Sequence, residues 1–137
     1  MKSAKELKAA LGIVVLRVKG AMGSQGCSVY LLDPETNRFV LMATEGLNKR
    51  SIGKVSMAPN EGLVGLVGTR EDPLNLGNAA AHPRHRSFAA TGDEKFASFL
   101  GAPSTPHPPV GGVLVLQQHD RPPFATGGAA FLAPVPR

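Results

Sequence analysis

"NEGLVGLVGTREDPLNL", residues Asn60 to Leu76, decides the fold. Gly62, Gly65 and Gly68 recur every third residue, with Leu63, Val64, Leu66 and Val67 between them. A phosphate-cradling P-loop closes its glycine run on Lys followed by Ser or Thr, whereas this run closes on Thr69-Arg70. A dinucleotide fingerprint reads G-x-G-x-x-G, and here the spacing is G-x-x-G-x-x-G. Neither nucleotide reading fits. Residues three apart share one face of a tight helical turn, so the stretch reads as a short helix with a bare glycine face. Asn60 is its expected N-cap, and Glu61 falls in the first turn, where the helix dipole favours a carboxylate. Two roles stay open for the bare face: close packing of helix on sheet, or the wall of a pocket. Gly65 is expected to be the sensitive position, and Gly68, at the helix end, the tolerant one.

Upstream, Leu7, Leu11, Val14, Val15, Val18 and Met22 make a helical stripe, with Lys8, Arg17 and Lys19 away from it. Gly23 and Gly26 follow, where a helix stops. "CSVYLLD" and "RFVLMATEG" are β-rich runs joined by "DPETN", whose early Pro and late Asn suit a hairpin turn. "GKVSMAP" predicts a third, shorter strand with Val55 and Met57 inward. Downstream, "DPLNL" reads as extended, and "AAAHPRHRSFAATGDE" as a connection long enough to be functional or lid-like. "KFASFLGAPS" and "VGGVLVLQQHD" predict the last two strands. Residues 121–137, "RPPFATGGAAFLAPVPR", read as an irregular tail, because Gly127, Gly128, Pro134 and Pro136 oppose a helix.

The 137 residues suit one domain, and 42% apolar with 18% charged is an ordinary globular composition. No apolar run reaches the ~20 residues that a spanning helix needs, so no membrane role is expected. Glu6 and Lys8 within the first residues argue against a signal peptide, and a single cysteine, Cys27, excludes a disulfide framework. The cytoplasm is the expected compartment. The net charge of +5 is scattered, and its densest cluster, "HPRHR" at His82 to Arg86, has no interleaved aromatics for stacking bases. A solvated loop cluster accounts for it, and no nucleic-acid partner is expected.

The order helix, "CSVYLLDPETNRFVLMATEGL", "NEGLVGLVGTREDPLNLGNAAAHPR", "FLGAPS", "GVLVLQQ" resembles a GAF domain. Within that family it is most similar to the amino-terminal GAF domain of the nitrogen-related enzyme I of the bacterial phosphotransferase system. The similarity is strong from Cys27 to Ala102 and resumes over Gly112 to Gln118. The resemblance implies an α+β fold over residues 1–137, a central antiparallel sheet with helices on one side and a ligand cavity on the other. It also implies a regulatory module that senses nitrogen status through a small metabolite, glutamine being the suggested signal, with no cofactor and no catalysis of its own. The family's phosphotransfer region and its reactive histidine lie outside these residues. "STPHPP" after "GAP" and the loss of acidic residues from the tail depart from the family pattern, which bears on homodimerisation through the terminal helices.

None of His82, His85, His107 or His119 sits in the Gly/Thr/Ser-rich setting of a phosphotransfer histidine. His82 and His85 are three apart, but no Cys or carboxylate joins them, so no metal is expected. GAF-type free methionine sulfoxide reductases use several cysteines for attack and resolution, which one Cys27 does not reproduce. Cys27 reads as a small buried hydrophobe. For ligand contact the candidates are Glu61, Gly62, Gly65, Asn75, Asn78 and Arg84 around the covering helix and loop, with Tyr30, Met42 and Phe99 as walls. The alternative function is a stand-alone dimerisation or interaction module with an empty pocket.

Overall fold

Residues spaced three or four apart fall on one side of an α-helix, and that spacing selects Leu11, Val15, Val18 and Met22 as the sheet-facing edge of α1 (Ala4–Met22). The computed structural model describes residues 4–85, 96–103 and 111–119. Val15 is fully buried, whereas Val14 is 43% exposed and does not belong to the inward stripe that the spacing predicts. Successive helical residues are turned about 100° apart, so only one of two adjacent valines can meet the sheet. The helix ends at Gly23, which takes φ +65, and the Ser24 N–H returns to the Lys19 carbonyl at 3.3 Å. That left-handed turn is the usual place for glycine after a helix.

Six strands follow: β1 (Gly26–Asp33), β2 (Arg38–Glu45), β3 (Ser56–Met57), β4 (Leu74–Leu76), β5 (Ser98–Pro103) and β6 (Gly112–Gln118). They form one antiparallel sheet in the order β3-β2-β1-β6-β5-β4. The β1–β2 turn is held by Asp33, whose carboxylate accepts the Glu35 N–H at 3.0 Å and the Thr36 hydroxyl at 3.1 Å. Asn37 closes it at φ 55, a conformation that Asn tolerates.

Alternation along the strands divides the core between the two faces. Cys27, Val29, Ala43, Leu100 and Leu116 point to the α1 side. Tyr30, Phe39, Leu41, Phe99, Val113 and Val115 point to the other side, which α2 (Gly62–Arg70) covers. A bulge interrupts the alternation on β2, where Val29 pairs with Ala43 but Tyr30 pairs with Leu41, leaving Met42 without a partner. This is an α+β fold with the long helix on one face and a cavity on the other, and the short helix forms part of the cavity wall.

The start of α2 differs by one residue from the expected cap. Glu61 is the N-cap, with an extended backbone and no side-chain cap bond, and Asn60 precedes it in the left-handed region at φ 64. Gly62 also has positive φ, at 65, so the chain makes a sharp corner that a side chain would strain. The Asn60 N–H turns back over the helix and donates to the Gly65 carbonyl at 3.2 Å and the Thr69 hydroxyl at 3.0 Å. The loop backbone therefore lies across the helix at Gly65. A β-carbon there would collide with the Ala58 carbonyl oxygen and sit 3.2 Å from the Asn60 nitrogen. The bare face at Gly65 meets the loop that leads into the helix. At Gly68 the same row meets the sheet, through the ring of Phe39.

Candidate functional site

Between α2 and the sheet lies a recess of about 470 Å³ counting the space open to solvent. Tyr30 on β1, Phe99 on β5, and Val115 and Gln117 on β6 form its floor. Leu63 and Val64 of α2 form one wall, with Leu47 and Met57 beside them, and Ala79, His85 and Phe96 close the remaining side. The floor follows from strand periodicity, since Val113, Val115 and Gln117 share one face of β6. Most of the lining residues are apolar, with Tyr30, His85 and Gln117 among them as polar members, and the surface open to the recess is more polar than apolar. The free interior volume is only about 30 Å³, room for roughly two water molecules.

Of the residues singled out from the sequence, Tyr30 and Phe99 stand on this wall. Met42 does not: alternation after Leu41 turns it to the α1 side, into a separate recess with Lys8, Gly12 and Ile52, and the bulge brings Ala43 to the same side. Glu61 is occupied in fixing the start of α2, accepting the Ala58 N–H at 2.8 Å and an Arg38 guanidinium N–H at 3.3 Å. Arg38 is held in turn by the Ser56 hydroxyl at 2.7 Å and the Ser56 carbonyl at 3.1 Å. Arg84 donates to the Asn60 carbonyl at 2.9 Å, tying the covering loop to the same corner. Gly62 and Gly65 shape that corner. Asn75 lies in the middle of β4, paired with Leu100, and Asn78 caps the 3-10 turn at Ala79–Ala81 without a side-chain cap bond.

The wall residues that sequence reading missed are Leu47, Met57, Leu63, Val64, Ala79, His85, Phe96, Val115 and Gln117. Gln117 was accessible from the β6 alternation. Phe96 was not, because nothing local marks which side of the sheet an aromatic just before a strand will take.

Cys27 lies on the opposite face, fully buried against α1. Burial pushes its thiol up from 9.0 to about 12, against a smaller opposing pull from the Lys19 charge. A thiol so placed stays protonated and is a poor nucleophile. Among the described residues, no three His, Cys, Asp or Glu side chains gather as a metal site. No described helix is long and apolar enough to cross a membrane.

An antiparallel sheet with a long helix behind it and a recess in front, walled by a short helix, defines the α+β class of the domain. The chain belongs to the GAF domain family, which matches residues 6–132. It is 43% identical over 101 residues to a protein of Escherichia coli K12 named phosphoenolpyruvate-dependent phosphotransferase system, across 74% of this chain. The chain spans 14% of that relative's length. Among solved structures, the GAF domain of a phosphoenolpyruvate-protein phosphotransferase (ptsP) from Coxiella burnetii is 40% identical with a TM-score of 0.83. The match covers 91% of this chain and 74% of that one. The corresponding GAF domain from Acinetobacter is 43% identical with a TM-score of 0.79, covering 92% and 74%. The chain is thus homologous to the GAF domain of a phosphotransferase.

Proposed function

We propose that this chain is a regulatory, small-molecule-sensing GAF domain that performs no catalysis of its own. The observation that carries the reading is the recess under α2, lined by apolar residues together with Tyr30, His85 and Gln117. In this reading the domain works in the cytoplasm, reports nitrogen status, and adjusts a phosphoenolpyruvate-dependent phosphotransferase, with glutamine as the signal. The single cysteine, buried on the far side of the sheet from the recess, speaks against sulfoxide-reductase chemistry.

The test uses the composition of the chain, which has one tyrosine and no tryptophan. Tyr30 lines the recess, so tyrosine emission reports on it alone. L-Glutamine is titrated beside L-glutamate, 2-oxoglutarate and L-methionine, with thermal unfolding followed in parallel. A ligand that binds only the folded state raises stability by about 2.7 kcal/mol at a hundredfold excess over its Kd. Saturable emission change and a raised Tm with glutamine support the assignment. No response to glutamine alongside a response to another member of the panel replaces the ligand, and no response to any removes the sensing reading.

One observation favours a second role. Ile13 and Leu16 on α1 are 54% and 58% exposed, beside exposed Val14. Ala9, Ile13, Leu16 and Gly20 share the exposed side at steps of four, three and four, the spacing of a two-helix seam. A second copy of the chain, pairing through the same seam, is the occupant that this self-similar pattern fits. Sedimentation of wild type and Leu16→Glu checks it, with a dimer that the substitution converts to monomer as the expected outcome.

A further inference from the structure

We infer that the groove between α1 and β2, on the far face of the sheet from Tyr30, is a second binding site. Its occupant is a small amphiphilic monoanion, a short-chain carboxylate with an apolar tail. Lys8 and Gly12 of α1 form one wall, Met42 and Ala43 of β2 the floor, and Lys49 and Ile52 the other wall. The free interior volume is about 190 Å³, against about 30 Å³ in the recess under α2. A small molecule has room here with every wall in place.

Gly12 keeps the groove open. It lies inside the 19-residue α1 with ordinary helical backbone, a setting in which glycine weakens the helix. At Gly65 and Gly68 a close neighbour explains the missing side chain, loop backbone in one case and the Phe39 ring in the other. At Gly12 nothing lies within 4 Å of the place a β-carbon would take. Neither backbone conformation nor close packing accounts for this glycine. What its bare side supplies is space, and that space belongs to the groove.

The charges choose the occupant. Lys49 is matched by Glu45 at 2.8 Å. Lys8 has no ion pair or hydrogen bond of its side chain among the described residues. Its side chain reaches toward the turn after Lys49–Ser51, where a β-carbon on Gly53 would lie 3.5 Å from Nζ. Two lysines against one glutamate leave the lining with one net positive charge. Thr44 offers no further polar contact of its own, since its hydroxyl is joined to Ser28 at 2.8 Å and accepts the Leu47 N–H at 3.3 Å. One carboxylate against Lys8 and an apolar tail over Met42 and Ile52 therefore complement the groove. An ammonium in the same place meets a like charge.

Sodium hexanoate is the probe, titrated into the full chain while backbone amide signals are followed by NMR. Saturable shifts are expected at Gly12, Ala43 and Ile52, with Tyr30 unmoved on the other face. Acetate, which lacks the tail, should bind at least about tenfold more weakly. Hexylamine, with the same tail and the opposite charge, should give no saturable shift. Lys8→Gln should weaken hexanoate by about threefold to fivefold and leave hexanol unchanged. Gly12→Leu fills the groove and should abolish hexanoate binding, while a raised Tm shows that its helix is intact. Four results overturn the site: no saturable shift with hexanoate, hexylamine binding as well as hexanoate, binding that survives Gly12→Leu, or shifts centred on Tyr30. Because these signals lie across the sheet from the recess, a negative result here leaves the sensing reading untouched, and failure of every recess ligand leaves this site standing.

Discussion

The ring of Phe39 occupies the space that a side chain on Gly68 needs. Phe39 is 4% exposed in the middle of the core beneath α2, so its ring has no solvent to retreat into. Glycine at this position sets the distance between helix and sheet. Gly68→Ala is expected to destabilise the domain by ~1–3 kcal/mol, the cost of forcing a well-packed interior to shift. Urea unfolding measures it, and a Gly68→Ala protein as stable as wild type shows that the ring rotates away freely. Sequence position alone points the other way, since a glycine near a helix end is normally tolerant of change.

Gly65 is constrained by backbone rather than by a ring. Its nearest neighbours are the Ala58 carbonyl oxygen and the Asn60 nitrogen, neither of which can adopt another rotamer. Alanine in a free helix gains up to ~1 kcal/mol over glycine. Here that gain is expected to be outweighed, giving a net loss of ~1–3 kcal/mol for Gly65→Ala and more for Gly65→Leu. Denaturant melts of the two variants decide the matter, and a stabilised Gly65→Ala sinks the close-contact account.

The Arg38–Glu61 ion pair contributes less than its position suggests. Its side chains are 40% and 25% exposed, and pairs of this kind contribute ~0–1 kcal/mol. The bond from Glu61 to the Ala58 N–H matters more, because it fixes the loop that crosses Gly65. Glu61→Ala is expected to cost ~1–2 kcal/mol. A double-mutant cycle with Arg38→Met should return a coupling below ~1 kcal/mol. A larger coupling would show that the charge pair, and not the backbone bond, holds the corner.

Strand alternation, the hairpin at Asp33–Asn37 and the glycine-spaced helix were legible in the sequence because each is encoded within a few neighbouring residues. The site was less so. A single unpaired residue, Met42, reverses which face the rest of β2 presents, and nothing in "RFVLMATE" marks it. Polar residues near the covering helix looked like ligand contacts, yet Glu61 and Arg84 are engaged in holding backbone. The recess is instead walled by apolar residues from separated segments, such as Leu47, Ala79 and Phe96, which only the tertiary fold brings together. The expectations for the tail 121–137 lie outside the described residues.

Phosphotransfer is expected to be absent from this chain. His82 accepts the Arg84 N–H through Nδ1 at 3.0 Å, His85 lines the recess, and His119 packs on Phe96. Incubation with labelled phosphoenolpyruvate should leave the protein unlabelled, and stable label on any histidine refutes this.

Cys27 supplies a pH-dependent contribution whose sign is fixed by burial. Its thiol titrates near 12 in the folded protein, against 9.0 for an exposed thiol. Below about pH 9 both states keep the proton and the cysteine contributes its full share. Above that, the unfolded chain releases the proton while the folded one holds it, so rising pH favours unfolding, and the contribution is lost progressively up to about 12. Each pH unit in that window corresponds to ~1.4 kcal/mol at most. The measurement is the difference between wild type and Cys27→Ala, which isolates the thiol. The stability advantage of wild type should shrink by ~1 kcal/mol between roughly pH 8 and pH 10. Thiol reagents should meanwhile label Cys27 only as fast as the protein opens. A pH-independent difference, or rapid labelling of the folded protein, shows that the thiol is not held in the core behind α1.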